Sequence, residues 1–311
     1  MGESMAACAP ATVRTLLDDA AERLCGASSS ARLDAELLLG HVLGKNRAAL
    51  WAWPDAQVPR AEVVRFQELT QRRASGEPLA YLVGRREFWS VDLMVTPATL
   101  IPRPETEHLV EAALALIPAG ARWTVADLGT GSGAIAIALA KERPSCHILA
   151  SDCSMDALLV ARANAAYQGI ENISLVCGDW LDPLPRGRFH VIVSNPPYVA
   201  DADPRLSRGD LRFEPRTALD GGPRGLDALR HIIRRAPTHL LAGGWLILEH
   251  GACQADAVHR MLLDNGLHEV RLIHDLQGGP RVTTCQAACQ FLPLVYHTRH
   301  GRGGRPTDQA P

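Results

Sequence analysis

The sequence predicts an α/β protein in which a doubly wound, mostly parallel sheet follows a small N-terminal helical bundle. Two observations lead to this fold class. In the second part of the chain, short apolar runs alternate with helical patterns, which is typical of parallel sheets covered by helices. Residues 1–77 show helical periodicity instead, broken by short polar or Gly/Ser segments. With 311 residues, the chain is long enough for both regions.

The bundle is predicted to contain helices at residues 12–25, 31–43 and 60–74. In the third of these, apolar residues recur every three positions and charged residues occupy the other face. No constellation of ligand-binding side chains is evident in this region. We therefore interpret residues 1–77 as a packing or docking module.

Residues 78–104 differ from both of their neighbours. Alternation of apolar and polar residues predicts a strand or hairpin over residues 78–95, and two prolines then stiffen a linker. A helix is expected at residues 105–117. Because this linker joins the bundle to the predicted sheet domain of residues 105–290, we expect it to line the cleft between them.

The predicted sheet domain has repeated strand and helix patterns. Residues 291–311, which are rich in Gly, Arg and Pro, are predicted to be a disordered tail. The predicted strands cover residues 123–128, 147–151, 173–177, 189–193, 245–249, 268–273 and 281–285, and the predicted helices cover residues 134–141, a segment capped by Ser154, and residues 226–241 and 254–265.

A glycine-rich segment follows the first strand of this domain. Gly129, Gly131 and Gly133 lie between a strand and a helix, the geometry that lets backbone approach a nucleotide. Asp152 ends the next strand, where an acidic residue can hold ribose hydroxyls. Trp180, together with the acid before it, ends the third strand and could flank an adenine. The glycines alone leave NAD and S-adenosylmethionine equally open.

Three features favour S-adenosylmethionine over NAD. Asp127 lies two residues before the first glycine. The tight Gly-x-Gly-x-Gly spacing needs no room for a pyrophosphate. A second motif, Asn195–Tyr198, ends the fourth strand, next to the loop where a sulfonium methyl group would lie. We therefore predict S-adenosylmethionine as the cofactor. No metal is predicted, because the loose pair Cys285 and Cys289 has no second pair to support it.

The motif Asn195-Pro196-Pro197-Tyr198 is the main candidate for substrate binding. Neither proline has an N–H group, and the first biases Asn195 towards an extended conformation. The Oδ1 atom of Asn195 and the carbonyl of Pro196 could each accept one hydrogen bond from a planar NH₂ group, while Tyr198 covers its plane. The alternative is a structural turn that ends the strand with a capping asparagine.

The amino-acid composition predicts the cellular compartment of the protein and limits its possible binding partners. The net charge is −2, which provides no electrostatic field for nucleic acid. The 8 cysteines are interpreted as buried thiols of a protein in a reducing cytosol. No apolar stretch is long enough to span a membrane, and no signal peptide is evident. We expect a cytoplasmic monomer that binds neither nucleic acid nor membrane.

The two motifs, Asp127–Gly133 and Asn195–Tyr198, resemble those of class I methyltransferases that alkylate planar amino groups. Four further segments narrow the resemblance to the release factor glutamine N5-methyltransferase family (PrmC, also called HemK). This similarity covers roughly residues 12–285. The four segments are residues 87–90, 99–107, 212–215 and 248–251.

This resemblance implies a seven-stranded sheet whose last strand is antiparallel, and a bundle that helps to dock the substrate. The implied substrate is the glutamine side chain in the Gly-Gly-Gln tripeptide of class 1 peptide chain release factors. By position, the implied cofactor-binding residues are Gly129, Thr130, Gly131, Ser132, Gly133, Asp152, Trp180 and Asn195; the implied substrate-binding residues are Asn195, Pro196, Pro197 and Tyr198, and of these Asn195, Pro196 and Tyr198 are the implied catalytic residues.

The sequence disfavours three other functions. A glutamine methyltransferase of a ribosomal protein is disfavoured by the Ile101–Pro104 linker. An adenine N6-methyltransferase would have to extract a base and grip phosphates, and the chain has no basic stripe for this. A protein that only binds release factors or ribosomes would be expected to have a degraded cofactor loop, whereas the loop here is intact.

Overall fold

The computed structural model describes residues 11–288. Its N-terminal part is a bundle of five helices around one apolar core, to which Leu17, Leu38 and Phe66 contribute. The first helix begins at Thr12, whose side chain accepts a hydrogen bond from the Thr15 N–H and so satisfies a free helix-end donor. The helices are α1 (Val13–Leu24), α2 (Ala31–Leu43), α3 (Arg47–Ala52), α4 (Arg60–Ala74) and α5 (Leu79–Val83).

A hairpin of strands β1 (Arg85–Phe88) and β2 (Val91–Met94) follows the bundle. Trp89 and Ser90 form its two-residue turn, and both have positive φ, the conformation that this tight turn requires. The Trp89 N–H donates to Oε1 of Glu107, 2.9 Å away, which ties the hairpin to the first helix of the sheet domain.

The sheet domain contains seven strands in one sheet. When these strands are numbered 1 to 7 along the chain, their order across the sheet is 3-2-1-4-5-7-6. Only strand 7, the last in the chain, is antiparallel to its neighbours. This confirms the predicted fold class and the implied antiparallel strand. The strands are β3 (Thr124–Leu128), β4 (His147–Asp152), β5 (Ile173–Cys177), β6 (Phe189–Ser194), β7 (Leu240–Glu249), β8 (Leu267–His274) and β9 (Pro280–Ala287).

Helices cover both faces of this sheet. Alternate residues of one strand point to opposite faces: Val191 and Val193 join one apolar cluster, and Ile192 joins the other. All three are fully buried, as expected for a central parallel strand. The helices of the first face are α6 (Glu107–Leu116), α7 (Ala134–Glu142) and α8 (Met155–Tyr167); those of the second are α9 (Asp227–His239) and α10 (Ala255–Asp264).

One buried carboxylate joins the linker to the segment between β6 and α9. The side chain of Glu214 is fully buried, accepts a hydrogen bond from the Ile101 N–H at 3.0 Å and pairs with the Arg103 guanidinium. The same segment contacts the bundle, because Asp210 pairs with Arg73 at 3.2 Å. Two of the motifs on which the family resemblance rests therefore meet at Glu214.

The structure corrects some local predictions. Residues 79–83 form one turn of helix rather than a strand, because Leu82 packs into the bundle core. The helix at residues 47–52 was not predicted, and the helix expected to begin at Glu105 begins with a 3-10 turn at residues 104–106. The predicted tail, residues 291–311, lies outside the described residues.

The expectation of buried thiols is wrong for most of the described cysteines. Cys146 and Cys285 are buried, whereas four others are exposed. The pair proposed as a loose metal match cannot be assessed, since Cys289 lies outside residues 11–288. Over those same residues, no helix is both long and apolar enough to cross a membrane. The exposed cysteines are Cys25, Cys153, Cys177 and Cys253.

Candidate active site

The two predicted motifs meet at the carboxyl edge of the sheet. Strands β3 and β6 are parallel neighbours, with Leu128 opposite Ser194. The Ser194 hydroxyl donates to the Leu128 carbonyl at 2.8 Å and locks the two strand ends together. Gly129 and Asn195 are the next residues on each strand. The glycine loop and the asparagine thus begin side by side, at the edge where open α/β sheets bind ligands.

Each glycine of the loop has a left-handed backbone, but the three differ in what surrounds them. Their φ angles are +69° at Gly129, +56° at Gly131 and +83° at Gly133. A Cβ on Gly129 would lie 3.1 Å from the Trp180 ring, and one on Gly133 would lie 3.2 Å from the Ala161 Cβ. Gly129 therefore allows an indole to approach the loop, whereas Gly133 allows helix packing.

Asp127, at the end of β3, holds the glycine loop through hydrogen bonds on the side away from the pocket. Its Oδ2 accepts hydrogen bonds from the Thr130 hydroxyl at 2.7 Å and from the Ala136 N–H at 3.2 Å. Its Oδ1 has no hydrogen-bond partner among the described residues. Burial raises the pKa of this fully buried carboxyl to about 7, against the effect of its two hydrogen bonds. Asp127 thus organises the loop without reaching the pocket.

Asp152 and Trp180 form the opposite wall. The Asp152 carboxylate accepts hydrogen bonds from the N–H groups of Gly131 and Ser154, each at 2.9 Å. Trp180 has a positive φ of 46°, and its carbonyl accepts a hydrogen bond from the Ser151 hydroxyl at 2.9 Å. The Asp152 side chain is thus fixed by neighbouring backbone, and the Trp180 backbone is fixed by the Ser151 side chain.

The carboxamide of Asn195 is oriented by a residue of the linker. Its Nδ2 donates to Oγ1 of Thr106 at 3.0 Å, which leaves Oδ1 on the other side. Neither Oδ1 nor the Pro196 carbonyl receives a hydrogen bond from a donor within residues 11–288. The motif therefore offers two free oxygen acceptors, which supports the functional interpretation over a merely structural turn.

Tyr198 is anchored behind the rim. Its hydroxyl donates to Oε1 of Glu249 at 3.0 Å, and its carbonyl accepts a hydrogen bond from Nε2 of Gln254 at 3.0 Å. Burial raises the pKa of Tyr198, and the adjacent carboxylate adds to this rise. Burial also raises the pKa of Glu249 to about 7, opposed by the hydroxyls of Thr106 and Tyr198 and by Arg281. The stacking of Tyr198 on a substrate stays a prediction.

A pocket that opens to solvent lies between these elements. Leu100 of the linker and Pro215 of the segment after β6 line it as well. Of the predicted site residues, Thr130, Ser132, Gly133, Pro196 and Tyr198 do not line the pocket; Gly129, Gly131, Asp152, Trp180, Asn195 and Pro197 do.

Sequence reasoning missed two residues of this site. Thr106 and Glu249 are 4 % and 1 % exposed, and they lie directly behind the Asn195–Tyr198 motif. Both lie in segments that contribute to the family resemblance, residues 99–107 and 248–251. For Glu249, the sequence offers one indication of a functional role: a charged residue directly follows a run of apolar strand residues, which are buried in the structure.

Two protein families match parts of this chain. The PrmC N-terminal domain family matches residues 15–84, and the methyltransferase small domain family matches residues 107–208. The fold is similar to a methyltransferase structure from Pyrococcus furiosus, with a TM-score of 0.50 and 18 % identity over 71 % of this chain and 99 % of that one.

Two curated relatives are much closer in sequence. The release factor glutamine methyltransferase of Xylella fastidiosa is 50 % identical, over 81 % of this chain and 92 % of its own length. That of Pseudomonas aeruginosa is 48 % identical, over 89 % of this chain and 99 % of its own length. With identity at this level along nearly the whole length of both relatives, the chain belongs to the release factor glutamine methyltransferase family.

Proposed function

We propose that this protein transfers a methyl group from S-adenosylmethionine to the side-chain amide nitrogen of the glutamine in the Gly-Gly-Gln motif of class 1 peptide chain release factors. The observation that supports this most is the pair of free acceptors, Asn195 Oδ1 and the Pro196 carbonyl, beside a glycine-rich nucleotide pocket. A primary amide has two N–H donors, which matches two acceptors.

The residues of the pocket fit S-adenosylmethionine. The φ > 0 glycines expose backbone, Asp152 presents a carboxylate suited to ribose hydroxyls, and Trp180 provides an aromatic wall suited to adenine. When bound, this cofactor supplies an electrophilic methyl group. Asp127 keeps the loop in place from beneath the pocket, and its fully buried carboxyl does not contact the ligand.

The protein's chemical task is to position a weak nucleophile. The lone pair of an amide nitrogen is delocalised into its carbonyl group. Hydrogen bonds from that nitrogen to Asn195 Oδ1 and the Pro196 carbonyl hold it in place and stabilise the positive charge that develops on it. Leu100 and Pro215 line the pocket and, with the substrate in place, would exclude water from this position. The proton that the nitrogen loses afterwards passes to solvent, with no dedicated base.

We infer that the N-terminal bundle docks the release factor. This part of the chain matches the PrmC N-terminal domain and presents large apolar side chains to solvent: Trp51 is 59 % exposed and Trp53 is 70 % exposed. Aromatic residues of this kind are typical of protein interfaces. The chain is proposed to act as a monomer that binds no nucleic acid.

The test is to incubate the protein with labelled S-adenosylmethionine and purified release factor, and to map the modified residue by mass spectrometry. We expect one methyl group, on the glutamine of Gly-Gly-Gln. Ribosomal proteins and adenine-containing DNA are supplied in parallel as alternative acceptors. Label on either of these, with an unmodified release factor, would contradict the proposal.

The variant Asn195→Ala tests the two-acceptor site. Loss of one of two hydrogen bonds to the reacting group is expected to lower kcat by about 100-fold or more. The dissociation constant of S-adenosylhomocysteine should change little. Asn265→Ala is the matched control, because the side chain of Asn265 donates to the Met261 carbonyl at the end of α10, outside the pocket lining. If Asn195→Ala were as active as this control, the assignment would be wrong.

A further inference from the structure

Two chain segments flank the Asn-Pro-Pro-Tyr motif and are joined to it by hydrogen bonds. The linker is joined through Thr106, whose hydroxyl oxygen accepts from Asn195 Nδ2 at 3.0 Å. The second segment, residues 210–221, is here called the Glu214 segment. It is joined directly after the motif, where the Val199 N–H donates to the Leu219 carbonyl at 2.9 Å. Both segments therefore border the proposed substrate-binding half of the pocket.

Glu214 joins these two segments to each other. Its side chain is fully buried. One carboxylate oxygen accepts a hydrogen bond from the Ile101 N–H at 3.0 Å, and the other pairs with the Arg103 guanidinium. A buried carboxylate without such partners is strongly unfavourable, because water does not reach it. The motif, the linker and the Glu214 segment thus form a closed ring of contacts beside the pocket.

The contact between Glu214 and Ile101 lies next to two residues that line the pocket. Leu100 precedes Ile101 and Pro215 follows Glu214, so each is one residue away from the hydrogen bond. Ile101 and Glu214 each precede a proline, which favours an extended backbone, and Glu214 is extended with φ −86° and ψ 152°. Because both backbones are stiff, this hydrogen bond fixes the separation between Leu100 and Pro215.

We propose that Glu214 is a positioning residue for methyl transfer, which holds Leu100 and Pro215 at the separation that fits a glutamine side chain. This inference rests on the proposed function, because the glutamine amide is the group that the two acceptors of the motif would hold. Glu214 itself is buried and does not line the pocket, so it acts through its neighbours. A reacting group displaced by about 1 Å can lose as much as about 100-fold in rate.

The proposed cofactor-binding half is held by contacts at other strand ends. The Asp127 carboxylate accepts from the Ala136 N–H, and the Asp152 carboxylate accepts from the Gly131 N–H. These residues belong to β3, β4 and the loop and helix between them, whereas the ring joins the linker to the segment after β6. A change at Glu214 is therefore expected to affect methyl transfer to the amide more than cofactor binding.

Glu214→Gln tests the carboxylate at nearly constant size. A glutamine has one acceptor oxygen, so its NH₂ group would face a second donor, either the Ile101 N–H or the Arg103 guanidinium. With a purified class 1 release factor as substrate, we expect kcat to fall by about 10-fold or more. KM for the release factor and the dissociation constant of S-adenosylhomocysteine should each stay within about threefold, because docking and cofactor binding use other residues.

Asp275→Asn is the matched control. The Asp275 carboxylate also accepts a backbone hydrogen bond, from the Gly279 N–H at 2.8 Å, and pairs with an arginine, Arg281, at 2.9 Å, but it lies outside the pocket lining. This variant should keep the wild-type kcat. If Glu214→Gln had the same kcat as the control, the inference would be wrong. It would also be wrong if only KM changed, which would indicate docking, or if cofactor affinity fell as much as kcat.

Arg103→Met decides the question where Glu214→Gln is too unstable to bind S-adenosylhomocysteine. The Arg103 side chain is partly exposed, and methionine keeps its apolar stem without a donor. Glu214 then keeps only Ile101, and kcat should fall by about threefold or more; a wild-type kcat would overturn the inference. The wild-type enzyme is measured in the same assay. If it did not methylate the glutamine, the proposed function would fail, a result distinct from equal rates in wild type and variants.

Discussion

The proposed cofactor-binding half and the proposed substrate-binding half of the site are held by different kinds of hydrogen bond. In the cofactor half, the carboxylates of Asp127 and Asp152 bond backbone N–H groups of the loop and of the segments that follow. In the substrate half, Thr106 and Glu249 bond side chains. A site held through backbone is rigid but hard to change. A site held through side-chain hydroxyls can be reoriented by a single substitution. Substrate specificity can therefore be adjusted in the substrate-binding half.

The largest expected effect concerns the cofactor half and compares two glycines. Gly133→Ala should lower the free energy of unfolding by about 2–4 kcal/mol, from left-handed strain together with a Cβ contact of 3.2 Å to Ala161. Gly131→Ala meets no atom within 4 Å and should show the strain alone, about 1–2 kcal/mol. Urea unfolding measures both; equal losses would contradict the packing role of Gly133.

The next effect separates the two halves by ligand. Asp152→Ala removes a carboxylate that organises the loop and is proposed to bind ribose, so the dissociation constant of S-adenosylhomocysteine should rise by about 10- to 100-fold. Isothermal titration calorimetry measures this. Asn195→Ala, in the substrate half, should leave the same constant nearly unchanged. An unaltered affinity in Asp152→Ala would remove Asp152 from the cofactor site.

The smallest expected effect, expressed per pH unit, compares the two buried carboxyls as titrating groups. Burial raises the pKa of Asp127 from 3.8 and that of Glu249 from 4.5, each to about 7. Between these values the folded state keeps a proton that the unfolded state has lost, so stability falls as pH rises towards 7. Each group contributes a slope of up to about 1.4 kcal/mol per pH unit.

Asp127→Asn and Glu249→Gln cannot ionise and should each flatten this slope. Urea unfolding at several pH values between 5 and 7 measures this slope. Because the slope compares one variant with itself at different pH values, it does not depend on the absolute stability of that variant. Asp152 raises the pKa of Asp127, whereas Arg281 lowers that of Glu249 and Glu105 raises it. A slope identical to wild type in either variant would mean that its carboxyl is ionised throughout this range.

The sequence was most informative where structure is local. The helix at residues 31–43 and the strand at residues 173–177 were predicted with the observed bounds, since hydrophobic periodicity and caps lie within the segment itself. The single turn of helix at residues 79–83 was missed because a segment so short has no clear period. Its conformation depends on packing against the bundle.

The candidate site shows the same limit. The glycine loop and the asparagine motif were located from contiguous residues. The partner of Asn195, however, is Thr106, 89 positions away, and that of Tyr198 is Glu249, 51 positions away. No local pattern identifies contacts of this kind, because they arise only when the sheet and the linker come together. The same reason explains why Glu214 was not recognised as a joint between two segments.

The hydrogen bond between Ser194 and Leu128 has a further consequence. The proposed sites of the methyl donor and of the substrate amide follow adjacent strands of one sheet, so the distance between these two supports is set by the strand spacing, about 4.8 Å. The distance over which the methyl group is transferred is therefore set by the backbone of the sheet, whichever molecule is methylated. Other methyl acceptors can be accommodated by substituting residues at the rim of the pocket, because such substitutions leave this distance unchanged.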